Sequence, residues 1–252
     1  MLRRRISKHI GDQNWIAVII DFAIVVVGVF MGIQLGNWNE ARGDRAAEIS
    51  YLMRYHEDLS ATLDMFAVRL RLIDQQLDEI PNAMARPSDS EQAWKTIRAQ
   101  YVISGFTPPE IRTATYTDMV SSGRLELIAD QSLRANLVGH YSRNGALPVL
   151  TNEPPFREMV RGVIPHEMQD YLTSPVCLAD FETYLTCPAP DQAEGLDEIA
   201  MILISDVELS RALNFNIAHH KISRNIITSI VAQTHELREI VAAALEDKGV
   251  EL

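Results

Sequence analysis

Hydrophobic and polar positions divide this chain into three kinds of stretch. Residues 16–35 read IAVIIDFAIVVVGVFMGIQL, and no helical face of the run is polar. Twenty residues at 1.5 Å rise cover ~30 Å, the thickness of a bilayer's hydrocarbon core. Trp15 and Trp38 bracket the run, as amphipathic indoles do at the two headgroup levels. The pattern predicts a transmembrane helix over 15–38. A second pattern begins at Ile49 and continues through Leu52, His56, Leu59, Leu63, Phe66, Leu70, Ile73, Leu77 and Ile80. Its gaps alternate three and four without a slip, the a/d stripe of a long packed helix, with His56 as the one polar member. Such a helix over 44–80 fits a homo-oligomeric coiled coil and a bundle of the protein's own helices equally well. Pro81 and Pro87 end it, and Gly43 is the weak point between stripe and membrane run, since mid-helix glycine costs ~1 kcal/mol.

The remaining pattern is helical too. Residues 90–104 carry Trp94, Ile97, Tyr101 and Val102; residues 110–122 precede Gly123, a natural terminator; Asp130 caps a helix to about Tyr141; and 156–172 is interrupted by Pro165. A proline-rich loop spans 173–190. Residues 206–246 form a last long helix, apolar at Leu209, Leu213, Ile217, Ile227, Ile230, Leu237, Val241 and Ala244, with Ile226 and Ile240 widening the face. A wide stripe means burial in a bundle. The expected fold is all-α: one N-terminal transmembrane helix running into a long helix, packed in a helical domain over 39–252.

Charge adds a direction. Arg3, Arg4, Arg5 and Lys8 precede the span, in a segment 1–14 whose Leu2, Ile6 and Ile10 would let it lie on the inner leaflet. Arg42, Arg45 and Arg54 follow the span, and the modest asymmetry predicts a cytoplasmic N-terminus. Beyond residue 35 there are 19 basic and 32 acidic side chains, which excludes a nucleic-acid surface. The two cysteines, Cys177 and Cys187, stand in SPVCLADFETYLTCPAP. Their spacing suits a local disulfide, which persists only in an oxidising compartment; the alternative is two separate buried thiols. With the charge rule, the disulfide puts the large domain in a bacterial periplasm. The apolar run is too long for a signal h-region and lacks a small-x-small cleavage site, so it is expected to stay as an anchor.

Inside the anchor, Gly28, Gly32 and Gly36 lie within about 80° of one another, and Asp21 falls on the same side. Either Asp21 reaches the cytoplasmic headgroups, or Asp21 and the glycines meet a partner helix. That partner is a copy of the chain or another membrane protein.

At Gln34-Leu35-Gly36-Asn37-Trp38-Asn39-Glu40 the chain resembles an uncharacterised family of bacterial single-span membrane proteins. In it an acidic residue opens the apolar helix, Val-Val-x-Gly follows, and Gln-x-x-Asn-Trp-Asn-Glu closes it. Asp21, Val26-Val27-Gly28 (without the spacer), Gln34 and Asn37–Glu40 match. Ala114-Thr115-Tyr116 and the stretch Ser121-Ser122-Gly123-Arg124-Leu125-Glu126-Leu127-Ile128 resemble its mid-domain. The cysteine loop does not belong to that pattern. The resemblance implies anchor and architecture, and no reaction.

Catalytic patterns are scarce. There is no GxSxG, no glycine-rich phosphate loop and no CxxC, and four residues past His166 stands Asp170, where a zinc-protease helix needs His. His219-His220 are adjacent and diverge by about 100° on a helix; one is expected at the surface and one as a core hydrogen-bonder. His56 is expected to hold register and to loosen the seam when protonated. Tyr116, Asp118 and Arg124 fit a pocket or an ordinary surface. No cofactor or metal is expected. The sequence points to a non-enzymatic single-pass inner-membrane protein, a scaffold or accessory subunit associating with itself or with another membrane protein. A periplasmic ligand-binding or sensing bundle acting through a partner is the alternative, and a hydrolase or metal enzyme is disfavoured.

Overall fold

In a computed structural model, residues 15–144, 148–177, 187–190 and 194–251 are described, and every regular element among them is helical. The segment 1–14 and residues 178–186 of the cysteine loop lie outside the described residues. Ten α-helices follow in order: α1 Trp15–Asp78, α2 Ile80–Ala83, α3 Ser90–Ile103, α4 Ala114–Ser121, α5 Gln131–Asn144, α6 Pro148–Thr151, α7 Phe156–Val163, α8 His166–Leu172, α9 Leu196–Ser205 and α10 Val207–Glu246, with a 3-10 turn at Leu125–Leu127.

The frame is α1 and α10, the pair in most extensive contact. α1 is 64 residues long and runs through Gly43 without a break, giving a rod of ~96 Å. A Cβ added at Gly43 would meet nothing, so its cost is backbone entropy alone, too small to interrupt a helix packed beyond it. Pro81 sits in the first turn of α2, where its missing N–H is harmless.

Local chemistry sets the other boundaries. The Asp206 carboxylate accepts from Leu209 N at 2.9 Å and starts α10; Asp89 does the same for α3 through Gln92 N at 2.8 Å. Asp130 accepts from Ser132 N and Leu133 N at the head of α5. Gly123, at φ +69°, closes α4. The helix expected over 110–122 begins only at Ala114, and the one over 156–172 is split into α7 and α8 at Pro165. α9 has no counterpart in the hydropathy pattern.

Three apolar clusters fill the bundle. Beside the exposed part of α1, Leu52, Tyr55 and Leu59 pack with Met119, Ile128, Leu133 and Leu137, and with Leu237, Val241 and Leu245 from the end of α10. Phe66 and Ile73 meet Ile227 and Ile230 midway. At the far end Trp94, Ile97, Phe156, Leu172, Ala200 and Leu209 enclose the cysteines. The order of these contacts makes α1 and α10 antiparallel.

Candidate functional site

From residue 18 to residue 46 every side chain of α1 is exposed. Phe22 is 70% exposed and Leu35 66%, and none of the most apolar stretch is covered by the rest of the fold. A water-soluble protein rarely leaves so large an apolar surface open. This is the one helix among the described residues long and apolar enough to cross a membrane. Asp21 is exposed within it, and Gly28, Gly32 and Gly36 have open space where a Cβ would stand. Trp38 closes the run with the Arg42 guanidinium 5.9 Å over its ring. Trp15 begins the helix; its side chain lies outside the described residues.

Past residue 46 the same helix enters the bundle. Leu52, Leu59, Leu63, Phe66 and Ile73 of the expected stripe are buried, while Ile49, His56, Leu70, Leu77 and Ile80 are half-buried. The buried ridge is turned toward a second series seven residues apart: Tyr55, Thr62, Arg69 and Gln76. Periodicity in hydrophobic residues could not show it, because three of the four are polar. Each has long-range contacts instead. Thr62 Oγ1 donates to Asp58 O at 2.7 Å and accepts from Arg112 N at 3.2 Å. Gln76 Nε2 donates to Val102 O and to Gly105 O at 3.1 and 2.7 Å. A Cβ at Gly105 would stand 2.9 Å from the backbone Val102 O and from that amide nitrogen, so glycine fits there. His56, on the flank, has its pKa lowered by burial and by Arg238.

A polar seam forms where Arg69 and Gln76 face the turn after α3 and the middle of α10. The Arg69 guanidinium lies 6.0 Å from the Phe106 ring, and Phe106 is 6.2 Å from His219. Burial pushes Arg69 down to about 10, and no carboxylate pairs with it among the described residues. His220 and Asn216 Nδ2 both lie 2.8 Å from Ile103 O. The carbonyl can only accept, so His220 carries its proton on Nε2. Burial holds its pKa down to about 4, and Arg69 and His219 add to the effect. His219 is buried as well, which corrects the expectation that one of the pair reaches the surface. α10 lies against both α1 and the 103–106 turn, so two adjacent directions are covered at once.

Nearer the exposed rod, Glu48 Oε1 accepts from Ala129 N at 2.9 Å and Glu48 Oε2 meets Lys248 Nζ at 2.7 Å. Asp58 Oδ2 accepts from Thr115 N at 3.1 Å, and Arg54 pairs with Asp118 at 3.0 Å. Tyr116 stacks on Tyr141 with ring centroids 4.8 Å apart. Tyr116 is thus held in packing, Asp118 in a surface ion pair, and Arg124 is exposed. Among the described residues no three His, Cys, Asp or Glu converge as metal ligands.

At the far end Cys177 and Cys187 are bonded as a disulfide, and both are buried. Trp94 Nε1 donates to Cys187 O at 2.9 Å and ties the loop to α3.

Together these features define a class: an all-helical protein in which one exposed apolar helix, fit in length to span a membrane, continues into a closed bundle. The chain belongs to a family of unknown function, DUF6090, whose pattern it matches over residues 21–147. That range covers most of the exposed rod, the buried half of α1 and the helices through α5. No curated protein and no solved structure matches the chain.

Proposed function

We propose that this chain is a non-enzymatic single-pass protein of a bacterial inner membrane. Its N-terminus faces the cytoplasm and its helical domain the periplasm. It serves as an oligomeric scaffold or as the accessory subunit of a membrane complex. One observation carries the reading: α1 passes from a fully exposed apolar rod into the buried ridge of a bundle with no hinge. A contact made in lipid is then transmitted to the domain as rotation or displacement of one rigid element. Open glycine positions at 28, 32 and 36 supply a face on which another helix packs closely. The buried disulfide supports an oxidising compartment for the domain, and the acidic surface is consistent with a domain held away from anionic lipid.

The test is site-specific photo-crosslinking in native membranes, with the photoreactive residue at position 29 or 32 and products identified by mass spectrometry. A defined adduct to a second copy or to one other membrane protein is expected, lost in Gly28→Leu/Gly32→Leu. Adducts to lipid alone would overturn the association. A C-terminal reporter active only in the cytoplasm would overturn the orientation.

A further inference from the structure

Because α1 is continuous from Trp15 to Asp78, the direction of any one of its faces fixes that of every other. Gly28, Gly32 and Gly36 point, on average, about 150° away from Glu48, Tyr51, Leu52 and Tyr55, at a turn of about 100° per residue. Those four are the first residues of α1 buried against the bundle. The bundle therefore hangs on the side of the rod opposite its glycines. Followed toward the bundle, the glycine direction runs through Asn39, Gly43, Ala46 and Ser50 to an edge at Met53, and all of these are exposed. Met53 is apolar and still 41% exposed.

Charge along this face has a definite order. Between Asp21 and Arg54 no Asp, Glu, Lys or Arg lies within about 60° of the glycine direction. The result is a neutral band ~50 Å long. Asp21 ends it on the Trp15 side, within reach of headgroup water. Arg54 ends it on the bundle side and turns to Asp118 of its own chain at 3.0 Å. Glu40 and Arg42 stand on opposite flanks of the band, each about 80° from its centre. Neither forms an ion pair among the described residues, and the Arg42 guanidinium lies over the Trp38 ring.

A parallel two-fold pair sets two conditions on such a face. Residues on the axis meet their own copies, so they must carry no charge. Each flank meets the opposite flank of the other copy, so the two flanks must differ in sign. Both conditions hold here. Arg42 of each chain would stand beside Glu40 of the other, ~3 Å apart in height. A different membrane protein would require neither feature of this chain. A Cβ at Gly43 would meet nothing in its own bundle, and the missing side chain lets two backbones approach.

We propose that the glycine side of the rod is a parallel two-fold interface with a second copy of this chain. It runs from Gly28 past the membrane surface to Ser50, and the two bundles are held on the outside. This pairing rests on the membrane association proposed above and adds the partner, the extent of the contact and the placement of the domains. Contact ends beyond Met53, because Glu57 and Asp64 would face their own copies across the axis.

The test uses the full chain in isolated membranes, oxidised with copper–phenanthroline and run on non-reducing gels. The native cysteines are bonded to each other and buried, so an introduced thiol reacts alone. Ser50→Cys is expected to give a linked dimer. Ala243→Cys, exposed on α10 where Val241 and Leu245 pack at the level of Leu52, is expected to give none. Arg42→Glu should lower the Ser50→Cys dimer about five-fold by setting like charges side by side, and Glu40→Arg/Arg42→Glu should restore it. A dimer as strong from position 243 as from 50 would overturn the arrangement, as would equal yields in all charge variants. So would capture of a second copy by a photoreactive residue at 29 with no dimer from 50, although that result leaves the membrane association standing. Adducts at 29 to a different membrane protein alone would overturn self-pairing.

Discussion

The two halves of α1 invert the usual relation between polarity and burial. Residues 18–46, the more apolar half, are exposed throughout, whereas 47–78 bury a glutamate, a threonine, an arginine and a glutamine. Hydrophobicity alone therefore does not say what a helix packs against. Where apolar residues cover every face, no one direction is favoured for a protein core, and lipid satisfies all of them. Where a stripe is mixed, only protein can satisfy it, because the polar members need partners at fixed places. For the glutamine, threonine and glutamate those partners are Val102 O, Gly105 O, Arg112 N and Ala129 N, whereas Arg69 lies over the Phe106 ring.

If the halves are independent in what stabilises them, they can be broken separately. Phe66→Ala opens a cavity at a residue 1% exposed and should destabilise the bundle by ~3–5 kcal/mol. Thermal melting should show it, while carbonate-resistant membrane retention stays as in the parent. Val27→Arg should do the reverse. A charge at mid-span costs ~3 kcal/mol of insertion, so the membrane-bound fraction falls in a fractionation assay and the melting of the material in detergent is unchanged.

Finer distinctions lie within the bundle. Cys177→Ser/Cys187→Ser removes a short ring worth ~2–3 kcal/mol by loop entropy; the unfolding free energy from denaturant titration should drop by that amount, with protease sensitivity appearing first at the cysteine end. Acid should act on the polar core. His140 and His220 have folded pKa values pushed down to about 4 from 6.5, so the unfolded chain binds more protons between those values. The stability they contribute is complete above pH 6.5 and is lost as pH falls toward 4. From about pH 6 to pH 5 the pair should cost roughly 2 kcal/mol, read from denaturant midpoints. The smallest effect has the opposite sign. Arg69→Met replaces a buried cation lacking a counter-charge, and it should raise the melting temperature by an amount equivalent to about 1 kcal/mol.

Much of this architecture is legible in the chain. The rod follows from 16–35, α10 from its wide stripe and Asp206, the end of α4 from Gly123, the α7–α8 break from Pro165, and the disulfide from two cysteines in one loop. These signals are local: a cap, a ring constraint, a period. What stayed hidden depends on distance. α9 is ten residues long and separated from α10 by Asp206 alone, so its apolar positions merge into the following pattern. The Arg69–Gln76 ridge and the buried His219 are set by a turn some thirty and more than a hundred residues away.

One unbroken helix joins the exposed apolar rod to the bundle ridge. Pulsed electron–electron resonance in nanodiscs tests it, using spin labels at the exposed positions Val29 and Val68 diluted with unlabelled protein. Thirty-nine helical steps from label to label predict one narrow distance peak near ~58 Å. A broad distribution, or a peak shortened by a bend at Gly43, would contradict it.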